Sequence, residues 1–194
     1  MSVIIYILFL IIYIIGQYNL IKRCNVKKFK KIKQLPDLFL DMLPYCPSLI
    51  KYMDFLMILF VIPLFFQNIY DNFLLLFKFL CIICLLRSIT TNLTLIPNLK
   101  NRYSYKRSNP YDLRNYFFGH NCDKIFSGHI SIILIIILIT ISKKLIPNFL
   151  ILFLIFFKLI YILLILLSKQ HYSIDIFLSY IITIPIYCVL YKII

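Results

Sequence analysis

The chain has 194 residues, of which 62% are apolar, and carries 21 Lys and Arg against 7 Asp and Glu for a net charge of +14. Soluble domains run at roughly 45–50% apolar, and a chain this short has too little interior to hide the excess, so composition excludes an ordinary water-soluble domain. The basic residues cluster beside apolar runs, which makes lipid phosphate the expected partner and excludes nucleic acid.

In chain order, apolar runs near the ~20 residues needed to cross a bilayer fall at 3–21, 49–69, 73–97, 126–146, 149–168 and 172–192. They predict an all-α, polytopic membrane protein, a six-transmembrane-helix bundle forming one membrane domain over 1–194. The first run begins at Val3 with no basic residue before it and no small-residue cleavage site after it, so an uncleaved first span is expected. Gly16, Gln17 and Asn19 dilute its end.

Gln67–Asn72, Lys143–Asn148 and Ser168–His171 read as short turns, whereas 22–48 and 98–124 are long polar segments. Counting crossings puts both long segments, the start of the fourth span and the Ser168–His171 turn on one membrane face. We call it the motif face.

Cys81 and Cys84 form a CxxC inside an apolar run and read as buried small hydrophobes. Cys46 and Cys122 lie on the motif face, where an oxidising compartment would permit pairing. Lys78 reads as reaching the interface opposite the motif face, and Lys158 is a mid-span lysine to which the sequence gives no role.

Chemistry-bearing residues concentrate at the motif face. The fourth span opens with Ser127-Gly128-His129, and the sixth with His171 and Asp175 in the stretch SKQHYSIDIF. The 42 positions from His129 to His171 are one trip across and one back. His171 and Asp175 are spaced i, i+4, which places them on one helix face within hydrogen-bond reach. A carboxylate on one imidazole nitrogen fixes the tautomer and leaves the other as nucleophile or base.

His129 supplies a complementary acid and base. Ser127 is placed to cap the fourth span, whose free N–H groups favour an anion. Arg87, inside the third span, offers a bidentate fork for phosphate oxygens; its rival role is an ion pair with Asp54. The set suits attack on a phosphate ester. Two bland readings stand beside it: interfacial histidines without chemistry, and a metal site at His120, Asp123 and His129, whose spacing matches no metal pattern.

GHNCDKIFSGH followed by HYSID resembles the sphingomyelin synthases and related ceramide phosphotransferases, a branch of the PAP2 lipid phosphatase superfamily. RSITTNLTLIP (Arg87 to Pro97) and LPDLFLD (Leu35 to Asp41) are similar to two further motifs of that branch. The resemblance implies His129, His171 and Asp175 as catalytic residues. It implies Arg87, Asp123, Ser127 and Tyr172 as substrate-binding, with no metal and no cofactor.

The implied reaction has two steps. His171, oriented by Asp175, attacks the phosphorus of a phospholipid donor while His129 protonates the departing diacylglycerol. Ceramide then collects the head group from a phosphohistidine. Hydrolysis of the same intermediate, and a non-catalytic scaffold or transporter, are the alternatives.

Asn121-Cys122-Asp123 departs from the Cys-Gly-Asp usual before the SGH. The Arg-rich first motif and the Pro-Ser-Gly-His of true lipid phosphatases are missing. The resemblance implies a multi-pass protein of Golgi, ER or plasma membrane with its motif face lumenal or extracellular. Seven basic residues in 22–33 and six in 98–124 argue for the opposite orientation.

Overall fold

The computed structural model describes residues 3–24, 36–94 and 125–192, and among these every regular element is helical. The helices are α1 (Val3–Cys24), α2 (Leu38–Met42), α3 (Ile50–Val61), α4 (Ile69–Leu93), α5 (Gly128–Ser142), α6 (Asn148–Leu167) and α7 (Ser173–Leu190). Short 3-10 turns at Pro47–Leu49 and Ile62–Phe65 extend α3 at both ends.

Four helical stretches are long and apolar enough to cross a membrane: Pro47–Phe65, Ile69–Leu93, Asn148–Leu167 and Ser173–Leu190. Ile4–Leu20 and Gly128–Ser142 are apolar but shorter. The six expected runs thus appear as helices, of which α5, at 15 residues, is below spanning length by itself. Pro97, in the expected third run, lies outside the described residues.

α4, the expected third span, starts at Ile69 rather than at 73, and Asn72 shows why. Read as a turn residue, Asn72 is instead fully buried in the first turns of α4. Its amide donates to the carbonyls of Leu64 (3.1 Å) and Phe66 (3.0 Å). Those acceptors are released where Pro63 and the turn at Phe66 end the preceding helix, and a buried free carbonyl is costly. The other two tight turns close through Lys144 (φ 51) and Lys169 (φ 50), each in the left-handed region that favours glycine.

α5 is the hub. It is apolar on all sides, and Ile130, Ile133, Ile135, Ile136 and Ile139 are each 0% exposed. α7 runs parallel to it: Ser127 N–H donates to the Asp175 carbonyl (3.3 Å) at one end, and Tyr187 Oη donates to Ser142 Oγ (3.0 Å) at the other. α4 runs antiparallel, with Lys143 Nζ on Asn72 Oδ1 (3.0 Å) and Gly128 against Arg87.

α1 packs chiefly on α4, where a β-carbon at Gly16 would collide with Ser88 Oγ and lie 3.0 Å from Asn92 Nδ2. Asn92 Nδ2 also donates to the Gly16 carbonyl (3.1 Å). Outward faces are bare hydrocarbon: Leu152, Phe153, Phe156 and Leu159 of α6 are all more than half exposed. Contiguous apolar surface of that kind is stable in lipid and not in water.

The short α5 fixes the depth of the motifs. Asn72 to Arg87 on α4 covers the same ~22 Å as the 15 residues of α5. Beyond Arg87, α4 continues six residues to Leu93, so the start of α5 lies about 9 Å inside the end of its neighbour. Among the described residues, the SGH thus lies below the end of α4 rather than level with it.

Candidate active site

Ser127 starts α5. Its backbone is extended (φ -76, ψ 112), and its Oγ accepts from Ile130 N–H at 3.4 Å, satisfying a donor that the first helical turn leaves free. Its own N–H donates to Ser179 Oγ (2.8 Å) as well as to the Asp175 carbonyl. Ser179 Oγ lies in turn 3.1 Å from the Ser127 carbonyl and 2.8 Å from the Asp175 carbonyl. All three residues are fully buried. This cluster ties the start of α5 to the first turn of α7, so SGH and HYSID are neighbours in space.

His171 precedes α7 and is 5% exposed. Its Nδ1 lies 3.3 Å from Asp175 Oδ2. The same oxygen accepts from Tyr172 N–H at 3.0 Å, so the carboxylate is held at the helix start while it faces the imidazole. With Nδ1–H donating to the carboxylate, Nε2 carries the lone pair on the far edge of the ring.

His129 is the second residue of α5, two positions after the Ser127 anchor, and is partly exposed. Arg87 approaches from α4. A β-carbon on Gly128 would collide with its Nη1 and stand 3.1 Å from Cζ. Gly128 therefore leaves room for a guanidinium beside the SGH backbone, and that room, not a positive φ, is what glycine supplies there.

The described residues thus bring Ser127, His171 and Asp175 together, with Arg87 packed against the residue next to His129. Tyr172 is 1% exposed, and its ring packs with Leu40 and Leu166. Asp123, His120 and Cys122 lie outside the described residues, as does the Asp54 side chain. Lys158 lies away from this cluster, with Nζ 5.1 Å from the centroid of the Tyr180 ring.

Sequence reasoning passed over Asp37 and Ser179. Asp37 caps α2 through Leu40 N–H (3.2 Å), and its Oδ2 accepts Ser173 N–H (2.7 Å). The Ser173 hydroxyl lies within 3.0 Å of both carboxylate oxygens. One carboxylate therefore satisfies the starts of two helices and fastens α2 two residues from His171. Its presence in LPDLFLD was visible, but no local pattern says that the partner is 136 positions away. Ser179 repeats Asp175 at i+4 on the same face, and that spacing was the available signal.

Residues 121–193 match the protein family described as PAP2 superfamily C-terminal. The match covers α5, α6 and α7, and therefore Ser127, His129, His171 and Asp175, while Asp37 and Arg87 lie before it. It supports placement in the PAP2 superfamily. No curated protein matches the chain.

Proposed function

We propose that the chain is a lipid head-group phosphotransferase, moving phosphocholine or a related phospho-head group from a glycerophospholipid to ceramide. The observation that carries this reading is the His171–Asp175 pair at 3.3 Å, buried in a recess beside the SGH helix start. Members of the PAP2 superfamily are generally phosphatases or phosphotransferases, which fits that chemistry.

In the first step His171 Nε2 forms a bond to phosphorus, and the bond from phosphorus to the diacylglycerol oxygen breaks. His129 gives that oxygen a proton. Arg87 and the N–H groups at the start of α5 offset the negative charge on the phosphoryl oxygens. In the second step the primary hydroxyl of ceramide attacks phosphorus, His129 takes its proton, and the N–P bond breaks. Asp175 stabilises the cationic imidazole ring while phosphorus is attached. Asp123 completes the substrate-binding set, while Tyr172, its ring buried against Leu40 and Leu166, serves the site through its backbone N–H on Asp175.

In this reading six helices cross the bilayer and the motif face is lumenal or extracellular, in Golgi, ER or plasma membrane. A recess about 9 Å below the end of α4 lets a head group meet His171 while acyl chains stay in hydrocarbon.

The test expresses the chain in cells that lack sphingomyelin synthesis, supplies labelled ceramide and separates the lipids. A labelled phospho-head-group ceramide that vanishes in His171→Ala and in His129→Ala supports the transferase. Head-group release without ceramide product replaces it with a hydrolase. No product of either kind removes both.

A further inference from the structure

A cavity of about 410 Å³ opens at the membrane face opposite the motifs, where α4 begins and α5 and α7 end. Asp71, Leu74, Leu75 and Lys78 line it from a single stripe of α4 at i, i+3, i+4 and i+7. Lys143 enters from the end of α5 and Tyr191 from the end of α7.

The site is built in advance of any ligand. Lys143 Nζ is held by Asn72 Oδ1 at 3.0 Å, and Asn72 is itself fixed by the Leu64 and Phe66 carbonyls. An ammonium has three donors, so two of those on Lys143 remain for a ligand. The Tyr191 ring stacks on Tyr187 (5.1 Å between centroids, 16° between planes), and Tyr187 is anchored on Ser142. Lys78 is half-buried two turns into an apolar helix. Among the described residues neither lysine forms an ion pair with a carboxylate. The two ammonium groups outnumber the Asp71 carboxylate in the lining, so the cavity carries a net positive charge that favours an anion between Lys78 and Lys143.

We propose that this cavity binds the head group of a zwitterionic phospholipid from the leaflet opposite the motif face. The phosphate takes the Lys78 and Lys143 ammonium groups and the Tyr191 hydroxyl. Leu74 and Leu75 meet the glycerol and the first methylenes. Asp71, exposed at the first turn of α4, attracts the cationic end of the head group. A cavity of this volume holds a head group and leaves the acyl chains on the apolar outer surface. The site stands apart from the His171 recess and does not depend on the reaction proposed there.

The test measures thermal unfolding of the full chain in detergent. The probes are dihexanoyl phosphatidylcholine below its micelle concentration and, separately, inorganic phosphate. At about ten times the Kd, the phospholipid raises the midpoint by roughly 3–6 °C. The His171 recess also takes phospholipid, so the diagnostic quantity is the part of the shift lost in K78Q/K143Q. That part is at least half, and K144Q/K192Q, which removes two charges elsewhere on the same face, keeps the full shift. Tyr191→Phe deletes one hydroxyl and weakens the shift without threatening the fold. An undiminished shift in both K78Q/K143Q and Y191F overturns the proposal. So does an equal shift from inorganic phosphate, which marks a site for free anions.

Discussion

Gly128→Ala separates a site residue from a structural one. The new β-carbon would collide with Arg87 Nη1. Ordinary carbon–nitrogen contact begins near 3.4 Å, so the guanidinium has to withdraw by more than about 1 Å. The clashing atom is the end of a flexible side chain, and Ala is the better helix former by about 1 kcal/mol, so stability changes by no more than about 1 kcal/mol in either direction. A displaced charge is a different matter for turnover, because a misplacement of about 1 Å at a reacting centre costs on the order of 100-fold. Labelled-lipid turnover in Gly128→Ala should fall by that order while the unfolding midpoint moves by a few degrees at most. Arg87→Ala should fall at least as far, and the double variant G128A/R87A should be no worse than R87A alone, since the β-carbon then has nothing to displace. Turnover in Gly128→Ala within about threefold of the parent, or losses that multiply in the double variant, would show that Arg87 does not act beside the SGH.

Asp37→Ala removes the α2 cap and both bonds to Ser173, and a cap of about 1 kcal/mol plus charge-assisted bonds gives a loss of about 2–4 kcal/mol. Amide exchange in 38–42 and at Ser173 should accelerate, with Asp41→Ala as the quiet control. Lys169→Gly relieves a left-handed backbone (φ 50) and should stabilise by about 1 kcal/mol; a lower unfolding midpoint would count against that account. Gln17 is 0% exposed, and neither its oxygen nor its nitrogen has a hydrogen-bond partner among the described residues. Gln17→Met, similar in volume and without the amide, should therefore raise the midpoint, by about 1–3 kcal/mol of stability. A drop would mean that the amide is satisfied in the membrane.

Much of the fold was legible because lipid imposes one simple demand, a long apolar helix for each crossing. All six runs are helical over most of their length; the expected His171–Asp175 contact is present at 3.3 Å, but His171 precedes α7, so the pair meets across the helix start and not along one helix face. Helix ends were less legible, because polar side chains decide them at a distance. Asn72 looked like a turn residue and is a helix residue that closes the turn before it. The length of α5 could not be read from Ile and Leu monotony, since nothing in an apolar run says where its neighbours end. Asp37 shows the same limit: its cap on Leu40 is local, while its grip on Ser173 exists only once α2 has come to rest on α7.

The inset start of α5 links these observations. A helix of 15 residues rises ~22 Å, short of a hydrocarbon layer of about 30 Å. Its far end is pinned by Lys143 on Asn72, so the deficit falls at the motif end. A recessed helix start leaves backbone N–H groups below the level where water would satisfy them, and hydrocarbon does not forgive that. Ser127 Oγ and Ser179 Oγ satisfy two of these groups, Ile130 N–H and Ser127 N–H. Arg87, six residues from the end of α4, is at the same depth. In the proposed reaction that depth places the guanidinium where it meets the phosphate of the lipid donor. In the proposed reaction, the depth that calls for Ser127 and Ser179 at the helix start is also the depth at which a phosphate ester, once drawn in, meets His171 away from bulk water.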